Sequence, residues 1–437
     1  MNVAYRVYRF LSTSLFLTLF PPFYLFSRFT GWHYDSLSQR LGFYPDSVAR
    51  GIEGMPRIWI HAASVGEVRV AEAIIEPLAA LIPNGTVILS TTTDHGQALA
   101  RDTLGKKATC IYAPLDYIGA ARKALTAVRP DVLVCLETEI WPNWLMEAHR
   151  TGVRTAVVNG RISVRSIKGY LRARPLMKET LKYIDAFSMI SEADSQRIRM
   201  MGASHDRVTV NGNAKYDLLL RQVDTSLKAK MNMLYNINGD IPIFVAGSTR
   251  NSEEKIILDV YQQILRSVPE TLLIIAPRHV KRTDTIAGLV QERGLTYQFR
   301  TELNGKDALR IAPVVIVDTI GELMATYGIA TIVFCGGSLV PLGGQNILEA
   351  AVWGKPVIYG PSMDDFLDAK YLLDQTGGGI QVKDGQELAE KVVYYLTNPD
   401  QAKRIGESAR RAVVSHQGAA EKHATVIYKL LTQVSPS

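Results

Sequence analysis

From Pro56 onward, short apolar runs rich in β-branched residues alternate with stretches whose apolar positions recur every three or four residues, the signature of parallel βαβ units. The first series predicts strands at Arg57–Ala62, Thr86–Ser90, Thr109–Tyr112, Val132–Leu136, Thr155–Asn159 and Ala186–Ile190. The apolar pattern then weakens from Asp224 to Asp240, where Asn-Ile-Asn-Gly-Asp appears, and a linker is expected over 224–240. A second series predicts strands at Pro242–Ala246, Thr271–Ala276, Pro313–Val317, Ile329–Phe334 and Pro356–Tyr359. The expected fold is α/β, with two Rossmann-like, doubly wound domains over 31–223 and 241–417. An interdomain cleft should take ligands at the C-terminal ends of the strands. The terminal segment 418–437 contains a last helix, about Gly418 to Leu431, expected to pack back on the first domain.

The first thirty residues differ from the rest. Phe10 to Ser27 carries no charge, is rich in Phe and Leu, and is flanked by Arg6, Arg9 and Arg28. This barely reaches the length that spans a bilayer, and Pro21-Pro22 is expected to break a helix. No small-residue cleavage site follows, so segment 1–30 reads as an uncleaved membrane anchor rather than a secretory signal. Arg6 and Arg9 favour a cytoplasmic N-terminus. A single span would place the body outside, whereas an interfacial segment leaves both ends in the cytoplasm.

Length and composition sharpen the picture only slightly. At 437 residues the chain has room for two or three domains, and 47% apolar with 21% charged residues excludes disordered, collagen-like and polytopic membrane classes. The net charge of +7 favours acidic partners without choosing among nucleic acid, anionic lipid and phosphorylated substrate. Cys110, Cys135 and Cys335 lie in or beside strand-like runs and read as reduced core residues.

The most informative stretch runs from Cys335 to Ala350, a strand, a glycine-rich turn and a helix start. Gly336, Gly337, Gly343 and Gly344 remove Cβ atoms where a backbone approaches a ligand. Asn346 is expected to begin a helix whose amides attract a phosphate, with Glu349 one turn in. Flexible turns are the plain alternative. The pattern resembles the nucleotide loop of GT-B glycosyltransferases. Five motifs in order narrow the resemblance: His61-Ala62-Ala63-Ser64-Val65-Gly66-Glu67, Glu137-Thr138-Glu139-Ile140-Trp141-Pro142-Asn143, Gly212-Asn213-Ala214-Lys215-Tyr216-Asp217, Ala276-Pro277-Arg278-His279 and Asn346-Ile347-Leu348-Glu349. Together they resemble the 3-deoxy-D-manno-octulosonic acid (Kdo) transferases of lipopolysaccharide assembly, over nearly the whole chain.

That resemblance implies inverting transfer of Kdo from CMP-Kdo to the glucosamine disaccharide of a lipid A precursor (lipid IVA), at the cytoplasmic face of the inner membrane. CMP-Kdo, the lipid and the membrane are the implied partners, and nucleic acid is not. Glu67 takes the family's base position, although Ser64-Val65-Gly66-Glu67 also spells a capping box with Ser64 as N-cap. Glu137 and Lys215 are the other implied catalytic residues, with ion pairing and solvation as their plain alternatives, and Glu139 is a secondary candidate. For the donor, Pro277 and Arg278 follow a strand end where a guanidinium can hold a phosphate. Ile320, Gly321 and Glu322 join a strand to a helix around the CMP moiety, and Asn346, Ile347, Leu348 and Glu349 complete the set. Arg250 is a further donor candidate, and Asn251-Ser252-Glu253-Glu254 reads as a capping box.

Neither Asp-x-Asp nor His-Glu-x-x-His occurs, and the eight histidines show no ligand spacing. No metal or other cofactor is therefore expected, with CMP-Kdo as a substrate. A CMP-sugar leaving group carries one phosphate, which protein cations can stabilise. A nucleotide-sugar epimerase of the same architecture and a catalytically silent lipid-binding module are the alternatives.

Overall fold

A computed structural model of the chain describes residues 3–31, 34–45, 48, 51–237, 239, 241–305 and 308–432. Asn238 and Asp240 of the expected linker, and 433–437 of the terminal segment, lie outside the described residues. The chain divides into two compact units, Met1–Leu218 with Gln417–Ser437, and Leu219–His416.

The first unit holds a parallel sheet of strands β1 (Arg57–His61), β2 (Thr86–Thr91), β3 (Thr109–Tyr112), β4 (Val132–Leu136), β5 (Arg154–Gly160), β6 (Ala186–Met189) and β7 (Val208–Val210), in the order β3-β2-β1-β4-β5-β6-β7. Successive side chains of β1 serve opposite faces: Ile58 and Ile60 join one hydrophobic cluster, Trp59 the other. Helices cover both faces, so β4 is buried at every residue. The second unit holds β8 (Ile243–Thr249), β9 (Leu272–Pro277), β10 (Tyr297–Phe299), β11 (Val314–Ile316), β12 (Ile332–Cys335), β13 (Val357–Tyr359) and β14 (Gly379–Gln381), in the order β10-β11-β9-β8-β12-β13-β14. The chain reverses winding direction between β1 and β4 in one sheet and between β8 and β12 in the other. Such switch points open crevices beyond the strand C-termini.

Two expectations need correction. The span 224–240 is not a linker, because Thr225–Leu234 is a helix within the second unit, and the boundary between units falls at Leu218–Leu219. Its pattern looked weak because it buries only Met231. Pro21-Pro22 does not break the N-terminal helix, which runs unbroken over Val3–Thr30. Proline supplies a helical φ and removes an amide, and the two carbonyls thereby left free belong to the exposed Leu17 and Thr18.

The Val3–Thr30 helix is long and apolar enough to cross a membrane, and only Tyr5 and Ser27 in it are buried. Its first half is tied to the unit: the Tyr5 hydroxyl donates to Asn143 Oδ1 at 3.0 Å and the Tyr8 hydroxyl to Asp116 Oδ2 at 2.6 Å. Phe16 stacks on Tyr117 with centroids 4.2 Å apart. The last helix, Ala419–Thr432, contributes Ala420, Ala424 and Ile427 to the core of the first unit. Asp217 secures its start, accepting the amides of Gly418 and Ala420 at 2.7 Å each.

Candidate functional site

Beyond β1 and β4, at the first switch point, the chain gathers acid. Ser64 is the N-cap of the Val65–Leu81 helix, but its side chain accepts no amide, so the capping box does not form. Its hydroxyl donates instead to Glu67 Oε1 at 3.0 Å, while the Ala63 amide donates to Glu67 Oε2 at 2.7 Å. Glu67 is 8% exposed. Burial, then the nearby charge of Glu139 and that of Glu137, push its carboxyl up to about 7, against the opposing hydrogen bonds of Ala63 and Ser64. A proton acceptor that titrates near neutrality is thereby built into the turn.

Glu137 follows β4 in the left-handed conformation, φ +53°, which costs a side-chain-bearing residue roughly 1–2 kcal/mol. Its amide donates to Val158 O at 3.1 Å, and its Oε1 lies 2.6 Å from Lys215 Nζ. Lys215 opens the Lys215–Arg221 helix and approaches Glu67's turn: a Cβ built on Gly66 would lie 3.9 Å from Nζ. Glu67, Glu137 and Lys215 thus meet in one place, and Glu137 also forms the ion pair that was its plain alternative.

Sequence reasoning places Glu139 as a secondary candidate and His61 and Trp141 within motifs, but misses how these residues hold the cluster. Trp59 Nε1 donates to Ser90 Oγ at 2.8 Å, leaving the Ser90 proton for His61 Nδ1, 3.0 Å away. That tautomer turns a protonated Nε2 toward Glu139 Oε2 at 3.4 Å, which also accepts from Trp141 Nε1 at 2.8 Å. Burial alone would raise the Glu139 carboxyl, but His61 and Trp141 outweigh it and hold it below the ordinary range. Glu139 therefore stays charged while Glu67 does not fully ionise. The loop before Lys215 has its own supports. Asn159 Oδ1 accepts the Ala214 amide at 2.9 Å, and buried His423 bridges Ser188 Oγ at 2.7 Å and Gly212 O at 3.0 Å. Burial drives His423 down to about 4, so it serves as a neutral link. No motif pointed to His423, which lies over two hundred positions from its partners.

In the second unit the strand ends are differently charged. Arg278 follows β9, with its amide donating to Thr249 O at 3.0 Å, and its exposed guanidinium forms no ion pair among the described residues. The Glu349 carboxyl is raised by burial, and Asn346 and the charge of Arg278 oppose that rise. Asn346 Nδ2 donates to Glu349 Oε1 at 3.2 Å. The helix begins at Leu348 rather than Asn346, because Asn346 Oδ1 takes the Leu348 amide at 3.2 Å. Pro277, Arg278, Asn346 and Glu349 are thus brought together. Ile347 and Leu348 are buried beneath them.

Residues 320–322 are anchored elsewhere. Glu322 accepts from Arg300 Nη2 at 2.7 Å and Thr319 Oγ1 at 2.6 Å, while Ile320 is 89% exposed and Gly321 has φ +91° with open space beside it. The glycine pair at 336–337 also departs from expectation. A Cβ on Gly336 would strike Ser248 O at 2.6 Å, so the close approach is to the chain's own backbone. Nor does the expected capping box over Asn251-Ser252-Glu253-Glu254 form: the helix starts at Glu253 with Ser252 as an N-cap that makes no side-chain bond, and Glu254 accepts from Arg282 instead.

The topology and these strand-end sites define an α/β protein of the GT-B class. A UDP-GlcNAc 2-epimerase from Neisseria meningitidis has the same fold, with TM-score 0.61 and 13% identity over 86% of this chain and all of that one. Residues 35–218 match the family model of 3-deoxy-D-manno-octulosonic-acid transferase (kdotransferase). A 3-deoxy-D-manno-octulosonic acid transferase of Haemophilus influenzae is 30% identical over 95% of this chain and 97% of its own length. A bifunctional glycosyltransferase/methyltransferase of Fusobacterium nucleatum is 36% identical over 77% of this chain, which spans about half (52%) of that longer protein. The chain belongs to the Kdo transferase family of glycosyltransferases.

Proposed function

We propose that this chain moves Kdo from CMP-Kdo to the glucosamine disaccharide of a lipid A precursor, with inversion and release of CMP, at the cytoplasmic face of the inner membrane. The observation that carries the reading is Glu67, a buried carboxyl raised to about 7 beside Glu137, Glu139 and Lys215. A lipid hydroxyl attacks the anomeric carbon of Kdo and gives its proton to the Glu67 carboxylate. The bond from that carbon to the CMP phosphate breaks, and its electron pair leaves with CMP from the opposite face, which inverts the centre. Arg278 stabilises the charge on the departing phosphate. Lys215 neutralises Glu137 and keeps further donors for the Kdo carboxylate.

Pro277 and the 346–349 segment frame the nucleotide, and the family resemblance adds the 320–322 backbone from its separate anchor at Arg300. Protein cations stand in for a bridging metal, so exhaustive chelation should leave transfer intact. The exposed apolar length of the Val3–Thr30 helix supports attachment to the bilayer that holds the lipid.

Mass spectrometry of the lipid after incubation with CMP-Kdo tests this directly, resolving additions of none, one or more sugars. A CMP-Kdo-dependent mass increment on the lipid is the expected result. Unchanged lipid with an isomerised donor would turn the reading to the epimerase that shares the fold.

A further inference from the structure

The Glu253–Ser267 helix starts with two carboxylates, Glu253 and Glu254, both 0% exposed. Glu253 is surrounded by donors alone. Its Oε1 accepts the amides of Ser338 at 3.0 Å and Leu339 at 2.9 Å, and its Oε2 those of Gly337 at 2.6 Å and Arg250 at 3.0 Å. Glu254 accepts from Arg282 Nε at 3.1 Å, Arg282 Nη2 at 3.0 Å and Thr249 Oγ1 at 3.3 Å. These two side chains tie together the segments that follow β8, β9 and β12 at the second switch point.

Successive backbone amides in a turn form a concave anion site. The group in this one belongs to the chain itself: the Glu253 carboxyl, which burial raises against the opposing hydrogen bonds of the four amides. Beside it, Arg250 and Arg278 make no ion pair among the described residues, and Arg250 Nε is buried without a hydrogen-bond partner. Arg250 Cδ lies 3.6 Å from the point where a Cβ on Gly337 would stand.

Given the donor reading above, on which this rests, we infer that Glu253 is a positioning residue for the CMP-sugar. It shapes the Gly336–Leu339 turn and, by filling its amides, leaves the donor phosphate to the guanidinium groups of Arg250 and Arg278. The division explains an arrangement otherwise hard to place: a glycine turn of phosphate-binding form with no amide left for a phosphate.

Gln is usually the gentlest replacement for Glu, but here its NH2 group would face two amide donors whichever way it turned. Calorimetry of CMP binding to the full chain in detergent, beside melting curves, supplies the test. Glu253→Gln should weaken CMP binding by about tenfold or more, as expected when buried amides lose their acceptor. It should raise the KM for CMP-Kdo while leaving the KM for the lipid and kcat at saturating donor near those of the parent. Arg250→Gln, which leaves the turn intact, should lower CMP affinity without changing cytidine affinity.

In the unaltered, nucleotide-free chain, hydrogen exchange over 337–339 should be slow. Parent-like CMP binding in a folded Glu253→Gln protein overturns the positioning role. Rapid exchange over 337–339 does the same, and decides the matter if that variant does not fold. An unchanged ratio of CMP to cytidine affinity in Arg250→Gln overturns the phosphate routing. If the unaltered chain binds no CMP, the donor reading itself fails, and the positioning role goes with it.

Discussion

The two switch points surround their buried carboxylates with opposite kinds of partner. In the first unit, Glu67, Glu137 and Glu139 crowd together with one lysine, and burial, with the surplus of negative charge added to it, leaves Glu67 short of full ionisation at neutral pH. In the second unit, Glu253, Glu254 and Glu322 are each satisfied internally, by four amides or by an arginine, and Arg250 and Arg278 make no ion pair among the described residues. The same backbone architecture thus presents a carboxyl raised to about 7 in one unit and arginines without an ion pair among the described residues in the other. Burial raises the carboxyls of Glu67 and Glu253 alike, and the partners differ: the charges of Glu139 and Glu137 add to the rise at Glu67, whereas four backbone amides oppose it at Glu253. A transfer that takes a proton from one substrate and receives a phosphate leaving group from the other needs both environments.

The largest expected effect attacks the acidic half. Glu67→Gln keeps both local hydrogen bonds, accepting from Ala63 and donating to Ser64, yet cannot take a proton. Loss of a general base costs about 10²- to 10⁴-fold in rate, to be read from single-turnover Kdo transfer. Stability should not fall. A carboxyl whose folded pKa lies above its unfolded value costs stability as pH rises from about 4.5 to about 7, and Gln escapes that cost. At pH 8 the variant should melt at or above the parent. Near-normal turnover would return Glu67 to a purely structural role.

The cationic half is broken next. Arg278→Ala removes a charge-assisted contact worth about 1.5 to 3 kcal/mol, hence roughly 10- to 150-fold in donor efficiency. Steady-state kinetics at varied CMP-Kdo and fixed lipid should show it. A loss confined to the lipid's KM would move Arg278 out of the donor site.

Much of this contrast was legible in the sequence, and its limits have physical causes. Eleven strands stand close to where the apolar runs placed them, because strands covered on both faces write an unbroken apolar signature. The three missed, β7, β10 and β14, are three-residue edge strands that are only partly buried, so neither length nor alternation marked them. Glu67, Glu137, Lys215 and Arg278 were recognisable by motif. How their supports hold them was not. Glu253 and Ser64 both sit where capping boxes are spelled, and local spacing cannot report that Glu253's partners lie some eighty-five positions away, or that Ser64 donates rather than accepts. His423 was silent for the same reason.

A subtler change tests whether like charge tunes the acidic half. Glu139→Gln removes a negative neighbour that, after burial, raises Glu67 most. The alkaline-rising limb of kcat/KM should therefore shift to lower pH than in the parent, while burial still keeps it above the ordinary carboxylate range. Activity below neutrality should rise relative to the plateau. An unmoved limb would mean that the charge of Glu139 does not set the proton affinity of Glu67.

The smallest effect is expected at Ser64, and its direction is the informative part. A serine that caps a helix through its oxygen loses about 1 kcal/mol when cut to alanine. Here that oxygen accepts no amide, and its hydroxyl donates to Glu67 instead. Ser64→Ala should thus lose about 1 kcal/mol at most in urea unfolding, for its hydrogen bond to Glu67 rather than for a helix cap, so stability alone does not separate the two roles. Its mark should appear in the pH profile. The lost hydrogen bond favoured the charged carboxylate, so the limb should move to higher pH, opposite to the shift from Glu139→Gln. A full 1 kcal/mol loss with an unmoved limb would restore Ser64 as a cap and leave Glu67 to be tuned by burial and its carboxylate neighbours alone.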